Sequence, residues 1–317
     1  MARASVPAVT VLDLAGLRKE YRTFRGEPTL AVDDLDLRIE QPGCVVGFLG
    51  PNGSGKTTTI RCTLGLIRPT AGRVRLLGEE MPGGAAAAIR RVGALVEQPK
   101  FFGDFTGRRN LRLLARIGGR TRQDIDRALE LVGLADAAGT KFHKYSLGMK
   151  QRLAVAATLL KDPDLLVLDE PANGLDPAGI VEMRRMLRDL ADAGKTVFVS
   201  SHQLGEIEQV CDQVVIINHG RVVAAGGVGE VMASASRDRA IVDVDGADAA
   251  LAVLLAAGFE AAAGPRSGTV AVESPPDDAA EITRVLADQG IYLRGLRIEG
   301  QNLEEVFLTL TEGESGA

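Results

Sequence analysis

Gly50-Pro51-Asn52-Gly53-Ser54-Gly55-Lys56-Thr57 lies between an apolar run, Cys44 to Leu49 (CVVGFL), and a helix-compatible stretch, Lys56 to Leu66. No other feature constrains the fold as tightly. Glycines at 50, 53 and 55 let the backbone wrap inward, so that successive N–H groups aim at one point. A helix starting at Lys56 adds its partial positive charge at the same point. The spacing is that of a phosphate-cradling loop, GxxxxGK[ST]. In such a loop Lys56 reaches the terminal phosphates of a polyphosphate and the Thr57 hydroxyl binds Mg²⁺. Pro51, Asn52, Ser54 and Thr58 complete the cradle.

A second apolar run supplies acids. Leu165-Leu166-Val167-Leu168 ends in Asp169-Glu170-Pro171. An acid at that strand end can hold Mg²⁺, and Glu170, one residue on, can accept a proton from an attacking water. Elsewhere strands alternate with helices, which points to an α/β core. Val9 to Ile39 reads as short strands, and Arg90 to Val96 as a further strand. Phe105 to Val132 reads as helix broken at Gly118-Gly119, and Leu147 to Lys161 and Ile180 to Ala193 as further helices. Thr196 to Ser200 is a strand, and Val214 to Asn218 with Arg221 to Ala224 a hairpin about His219-Gly220.

The pattern then restarts. Ala240 to Val244, Thr269 to Val272 and Tyr292 to Ile298 are strand-like. Ala247 to Ala257, Ala279 to Gln289 and Leu303 to Leu310 are helical. This is a small α+β unit compatible with a ferredoxin-like arrangement. Charge marks the same break: residues 241–317 hold 14 acids and four arginines, in a chain of 317 residues with a net charge of −5. The expected division is 1–230 and 236–317. An acidic tail repels phosphates, so no nucleic acid is expected as a partner. No apolar run reaches the ~18 residues a membrane span needs, and the N-terminus lacks the apolar core of a signal peptide. Three scattered cysteines, Cys44, Cys62 and Cys211, form no CxxC pair and read as small buried apolar residues.

With these motifs in this order, the chain resembles the ABC (ATP-binding cassette) ATPases from about Val9 to Ala225. Ser146-Leu147-Gly148-Met149-Lys150-Gln151-Arg152 is similar to the family signature, and Asn173-Gly174-Leu175-Asp176-Pro177 to its D-loop. His202 resembles the switch histidine. Tyr21 occupies the place of the aromatic that stacks on adenine, with Phe24 as its rival. The resemblance implies an α/β P-loop cassette, with a mixed sheet core and a helical signature subdomain, followed by the small accessory or regulatory domain. It implies ATP and Mg²⁺ as ligands, with Glu170 as base, His202 as its orienting partner, and Thr57 and Asp169 on the metal. Ser146, Gly148, Met149 and Asp176 would serve a nucleotide held by a second copy, so the family's working form is a head-to-tail homodimer. A separate polytopic permease is the implied partner, with the chain peripheral at the cytoplasmic face of the membrane.

One position departs from most relatives. Counting from Gly93 puts Glu97 where the family places a glutamine that reaches toward Mg²⁺ and water; a one-residue slip restores Gln98. A glutamate there resembles the bacitracin-resistance and lantibiotic-immunity exporters, which implies efflux of a peptide antibiotic, drug or amphiphile. Phe101 to Leu111 resembles the segment that receives a helix of the membrane partner. In the last helix, Leu303, Val306, Phe307 and Leu310 form one apolar stripe. His143 and His219 match no motif. Soluble relatives that act on ribosomes or DNA carry two cassettes, long inserts or zinc cysteines, and none is present. The remaining alternative is a nucleotide-binding regulator that does not hydrolyse.

Overall fold

The computed structural model describes residues 10–22, 28–97, 99–203, 205, 208–235, 239–273, 279–299 and 303–312. The chain divides into two compact units, Met1–Val228 and Gly229–Ala317.

The first unit holds two sheets. β1 (Leu12–Tyr21) and β2 (Thr29–Ile39) pair antiparallel, and β4 (Ala71–Leu76) and the short β5 (Glu79–Glu80) extend them in the order β2-β1-β4-β5. β3 (Val45–Leu49) belongs to the second sheet, whose order is β10-β9-β3-β8-β7-β6. Its other members are β6 (Val92–Leu95), β7 (Leu165–Asp169), β8 (Thr196–Ser201), β9 (Gln213–Asn218) and β10 (Arg221–Gly227). All its pairs are parallel except β9 with β10. The continuous apolar runs find their reason here. Every residue of β3 is buried, because β3 is central and covered on both faces. Phe48 of β3 and Phe198 of β8 pack with ring centroids 5.2 Å apart.

Helices of this unit follow their local signals. α1 (Lys56–Thr63) opens directly after Gly55, whose φ is +104°. α2 (Ala85–Ala88) is one turn. α3 (Gly107–Ile117) stops at Gly118 as expected, and α4 (Arg122–Leu131) starts at a reciprocal Thr121–Asp124 capping box. α5 (Leu147–Leu159) is capped by Ser146. α6 (Pro177–Asp192) starts three residues before the expected Ile180, because Asp176 caps it and Pro177 fits the first helical position.

Two expectations change. The stretch before residue 40 forms long strands, 10 and 11 residues, in place of several short ones. Register shifts near Gly16 (φ +58°) and Asp34 (φ +50°) break the two-residue alternation that a sequence reading relies on. β4 was not foreseen, because its leading Ala-Gly is poor strand material.

The second unit opens with α7 (Val228–Ala235), whose first residue closes the first unit. It continues β11 (Arg239–Val244), α8 (Ala247–Ala256), β12 (Glu260–Ala263), β13 (Thr269–Glu273), α9 (Ala279–Asp288), β14 (Leu293–Glu299) and α10 (Leu303–Glu312). The all-antiparallel sheet order β12-β13-β11-β14 with this βαββαβ succession is the ferredoxin-like arrangement. Val242, Val244, Val270, Val272, Leu254, Ile282 and Leu286 form its core. Leu303 and Val306 of the last helix are fully buried, while the side chain of Leu310 lies outside the described residues.

Cys44 and Cys62 are buried, and burial pushes each thiol up to about 11. Cys211 is half-buried, and its thiol is pushed up further by burial and by Asp212. No helix among the described residues is long and apolar enough to cross a membrane.

Phe198→Ala removes a ring from the centre of the six-stranded sheet. It is expected to cost about 3–5 kcal/mol, read as a lower denaturant midpoint for unfolding of the first unit.

Candidate active site

Three strand ends converge because three strands are neighbours. β3, β8 and β7 run parallel and adjacent, so their C-terminal ends share one edge. β3 leads through the glycine loop into α1, β7 ends at Asp169, and β8 ends beside His202. Ligands of open parallel sheets bind at such an edge.

The loop is shaped by what a side chain would strike. A Cβ at Gly50 would lie 2.3 Å from the Ile217 carbonyl oxygen, and one at Gly55 2.4 Å from that of Ala31. Lys56 is buried, and its Nζ donates to the carbonyls of Gly50 (2.7 Å) and Pro51 (3.1 Å). Its Nζ also lies 3.5 Å from Glu170 Oε1. Thr57 Oγ1 donates to Asp169 Oδ2 at 2.8 Å. His202 Nδ1 sits 2.7 Å from Glu170 Oε2, so Glu170 stands between a lysine and a histidine. Glu170 adopts φ +50°, a conformation costly for a non-glycine residue. A cleft of about 360 Å³ is lined by Ala31, Asn52, Gly53, Gly55, Lys56, Thr57, Thr58, Glu170, Asn173 and His202.

Ser200 was missed by sequence reasoning. Its hydroxyl donates to Asp169 Oδ1 and accepts the backbone N–H of Glu170 at 3.0 Å. One side chain on β8 thus orients both acids at the end of β7. Its only sequence signal is a place two residues before His202, and serine is common enough to make that weak.

These groups fit a nucleotide triphosphate with Mg²⁺. The Ser54 hydroxyl is buried with no hydrogen-bond partner among the described residues, and a Cβ at Gly53 would meet nothing within 4 Å. Thr57 and Asp169 present hard oxygens side by side, the donor type that Mg²⁺ takes. Mg²⁺ bound there would neutralise charge on the terminal phosphates.

Other expected residues lie elsewhere. Tyr21 ends β1, half-exposed, with Lys19 Nζ 5.0 Å from its ring centre; Phe24 lies outside the described residues. Ser146 Oγ accepts from Met149 N–H at 3.2 Å, and Asp176 Oδ1 from Gly179 N–H at 3.0 Å. Ser146, Gly148, Met149 and Asp176 line no part of the phosphate cleft. Glu97 does not reach it either. Its carboxylate is 79% exposed and takes Arg61 Nη2 at 2.9 Å. It lines a separate groove of about 470 Å³ with Arg61, Leu64, Leu66, Val96 and Lys161. Gln98 lies outside the described residues. His143 bonds the Gly103 carbonyl through Nδ1 at 3.0 Å, and His219 forms the β9–β10 turn at φ +46°.

A family model described as ABC transporter matches residues 32–173. The bacitracin transport ATP-binding protein BcrA of Bacillus licheniformis is 37% identical over 312 residues, covering 96% of this chain and 98% of that protein. The chain belongs to the ABC transporter ATP-binding family. Its chemistry is that of an ABC ATPase, hydrolysis of ATP. The cassette is also 35% identical to the daunorubicin/doxorubicin resistance ATP-binding protein DrrA of Streptomyces peucetius, over 95% of this chain and 92% of that protein. Among solved structures, cbiO1 of Clostridium perfringens, part of the ABC transporter complex cbiONQ, matches with a TM-score of 0.63 at 27% identity, covering 71% of this chain and 91% of that one. A dimeric cassette bound to ADP and Pi shares the fold with a TM-score of 0.60 at 23% identity, covering 68% of this chain and 98% of that one.

Ser200→Ala leaves Asp169 Oδ1 and the Glu170 N–H without their shared partner. ATP turnover is expected to fall roughly ten-fold, measured as phosphate release at saturating ATP.

Proposed function

We propose that this ABC ATPase powers efflux of a peptide antibiotic, drug or amphiphile through a separate membrane-spanning partner. The observation that carries the ATPase half is the convergence of Lys56, Thr57, Asp169, Glu170 and His202 on one sheet edge. The likeness to BcrA and DrrA along nearly the whole of each protein supports the export half.

Phosphoryl transfer to water asks mainly for positioning and charge neutralisation. Lys56 exchanges its carbonyl partners for phosphate oxygens. Thr57 and Asp169 would hold Mg²⁺, which when bound would neutralise phosphate charge, and Ser200 fixes the Asp169 carboxylate. Glu170 accepts the proton of the attacking water, and His202 holds that carboxylate in place. Pro51, Asn52, Ser54 and Thr58 border the phosphates, and Tyr21 offers a face to the adenine. Glu97 can join this chemistry only by leaving Arg61.

The signature residues serve a second copy in this reading. Ser146, Gly148, Met149 and Asp176 lie at two capped helix N-termini away from the cleft of their own chain, where backbone N–H groups suit an anion. Two chains placed head to tail would pair each cleft with the partner's signature helix. The partner permease would hold the homodimer at the cytoplasmic face of the membrane, and the exposed Phe102, 59% accessible, suits an apolar contact with it. The ferredoxin-like unit carries an accessory or regulatory role.

Glu170→Gln is expected to bind ATP, accumulate as a nucleotide-bound dimer and turn over roughly 10²- to 10⁴-fold more slowly. Phosphate release, with size-exclusion chromatography at saturating ATP, checks it. Turnover at the native rate in this variant would remove Glu170 from its role. No phosphate release by the native chain, with or without its permease, would favour the non-hydrolysing regulator.

A further inference from the structure

Beside the phosphate loop lies an ion cluster, centred on one buried carboxylate, that no part of the hydrolytic chemistry uses. Asp33, on β2, is buried. Its Oδ1 accepts from Arg18 Nη1 of β1 at 2.8 Å. Its Oδ2 accepts from Arg221 Nε at 2.9 Å and also from Arg221 Nη2, at the start of β10. One carboxylate therefore ties together three strands from two sheets.

The tie continues to the loop through backbone. The Asp33 N–H donates to the Gly220 carbonyl at 3.0 Å, and the Gly220 N–H donates to the Ser54 carbonyl at 2.9 Å. Gly220, at φ +80°, has no room for a side chain: a Cβ would lie 2.9 Å from the Val32 Cα and 3.0 Å from the Ala31 carbonyl oxygen. The β9–β10 turn is thus wedged between β2 and the loop. Gly50 rests on Ile217, and Gly55 on Ala31 and Gly220. The contacts of Gly55 belong to this turn and to the strand that Asp33 anchors, whereas Gly50 rests on β9 and donates its N–H to the Ser201 carbonyl of β8. Both guanidinium groups reach solvent while the carboxylate is buried, so removing a donor leaves a buried acceptor under-satisfied, which is the costly half of losing such a bond.

We propose that Asp33 and Arg221 are positioning residues for nucleotide binding: their ion pair pins the β9–β10 turn under the phosphate loop and so sets the direction of its amides. This rests on the reading of the cleft as the ATP site, and adds that the cradle's accuracy comes from a charge cluster outside it. Neither residue lines the phosphate cleft. Their loss therefore weakens binding and leaves the catalytic set of Asp169, Glu170, Ser200 and His202 intact.

The test is an ATP titration of phosphate release by the full chain, comparing wild type, Asp33→Asn, Arg221→Met and the double variant. KM for ATP is expected to rise about ten-fold in each single variant, with kcat within about two-fold of wild type, as loss of one charge-assisted bond predicts. The double variant is expected to be no worse than the worse single, because both remove the same tie. Arg221→Lys keeps the charge without the fork and is expected to fall between wild type and Arg221→Met. If Asp33→Asn does not fold, Arg221→Met carries the test alone, since Arg221 is 63% exposed and Asp33 keeps Arg18. A KM equal to wild type in a folded single variant, a fall in kcat alone, or additive effects in the double variant would overturn the inference. An inactive wild type would instead count against the cleft as an ATPase site.

Discussion

Parallel pairing of three buried strands underlies everything this chain does chemically. β3 bonds to β8 and β8 to β7, with Val45 opposite Val197 and Leu165 opposite Thr196. Parallel strands bring like ends together. The loop before Lys56, the acids after Leu168 and the histidine after Ser201 therefore meet, although more than a hundred residues separate the first from the second. The strands can sit side by side because β3, β7 up to Leu168 and the Val197–Val199 centre of β8 are apolar and buried, with polar residues confined to strand ends. A charge placed within any of them would disturb the core and the register of the site together.

The site shows how a small set of polar contacts is kept accurate. Glu170 touches both Lys56 and His202, and its neighbour Asp169 touches both Thr57 and Ser200. These side chains are buried or half-buried, so their contacts are weakly screened by water. The many ion pairs on exposed faces, such as Arg188 with Asp192 or Arg297 with Glu299, contribute little by comparison. Support for the cradle comes from below, through the Arg18–Asp33–Arg221 cluster and the turn it holds. The signature helix is organised separately: its serine caps it locally and faces no part of its own chain's phosphate cleft.

Much of this was legible residue by residue. The glycine loop, the acids after an apolar run and the helix breaks at Gly118-Gly119 are signals contained within about ten residues. The βαββαβ order of the second unit was readable apart from β12, whose Glu-Ala-Ala-Ala composition carries no strand signal. Ser200 was not legible, because a serine gains its meaning only from the acids that a neighbouring strand delivers to it. Arg61 was equally silent: nothing near it in sequence says that it takes the carboxylate of Glu97, 36 residues away. Counting along the strand placed Glu97 at the metal, and the actual neighbour of its side chain placed it in the groove. The long first strands were hidden by a bulge, since one extra residue reverses the alternation that marks a strand.

What the sequence determined by itself is therefore the kind of groups present: a glycine loop, strand-end carboxylates and helix caps, each encoded in a short local pattern. What only the tertiary structure decided is which of these groups act together. It set Ser200 on both acids, Glu97 on Arg61, the signature serine away from its own cleft, and Asp33 beneath the loop. The physical reason is that local propensity acts over one turn or one strand. Pairing, register and the burial of charge are settled between segments far apart in the chain, by whichever packing leaves no apolar face wet and no buried ion alone.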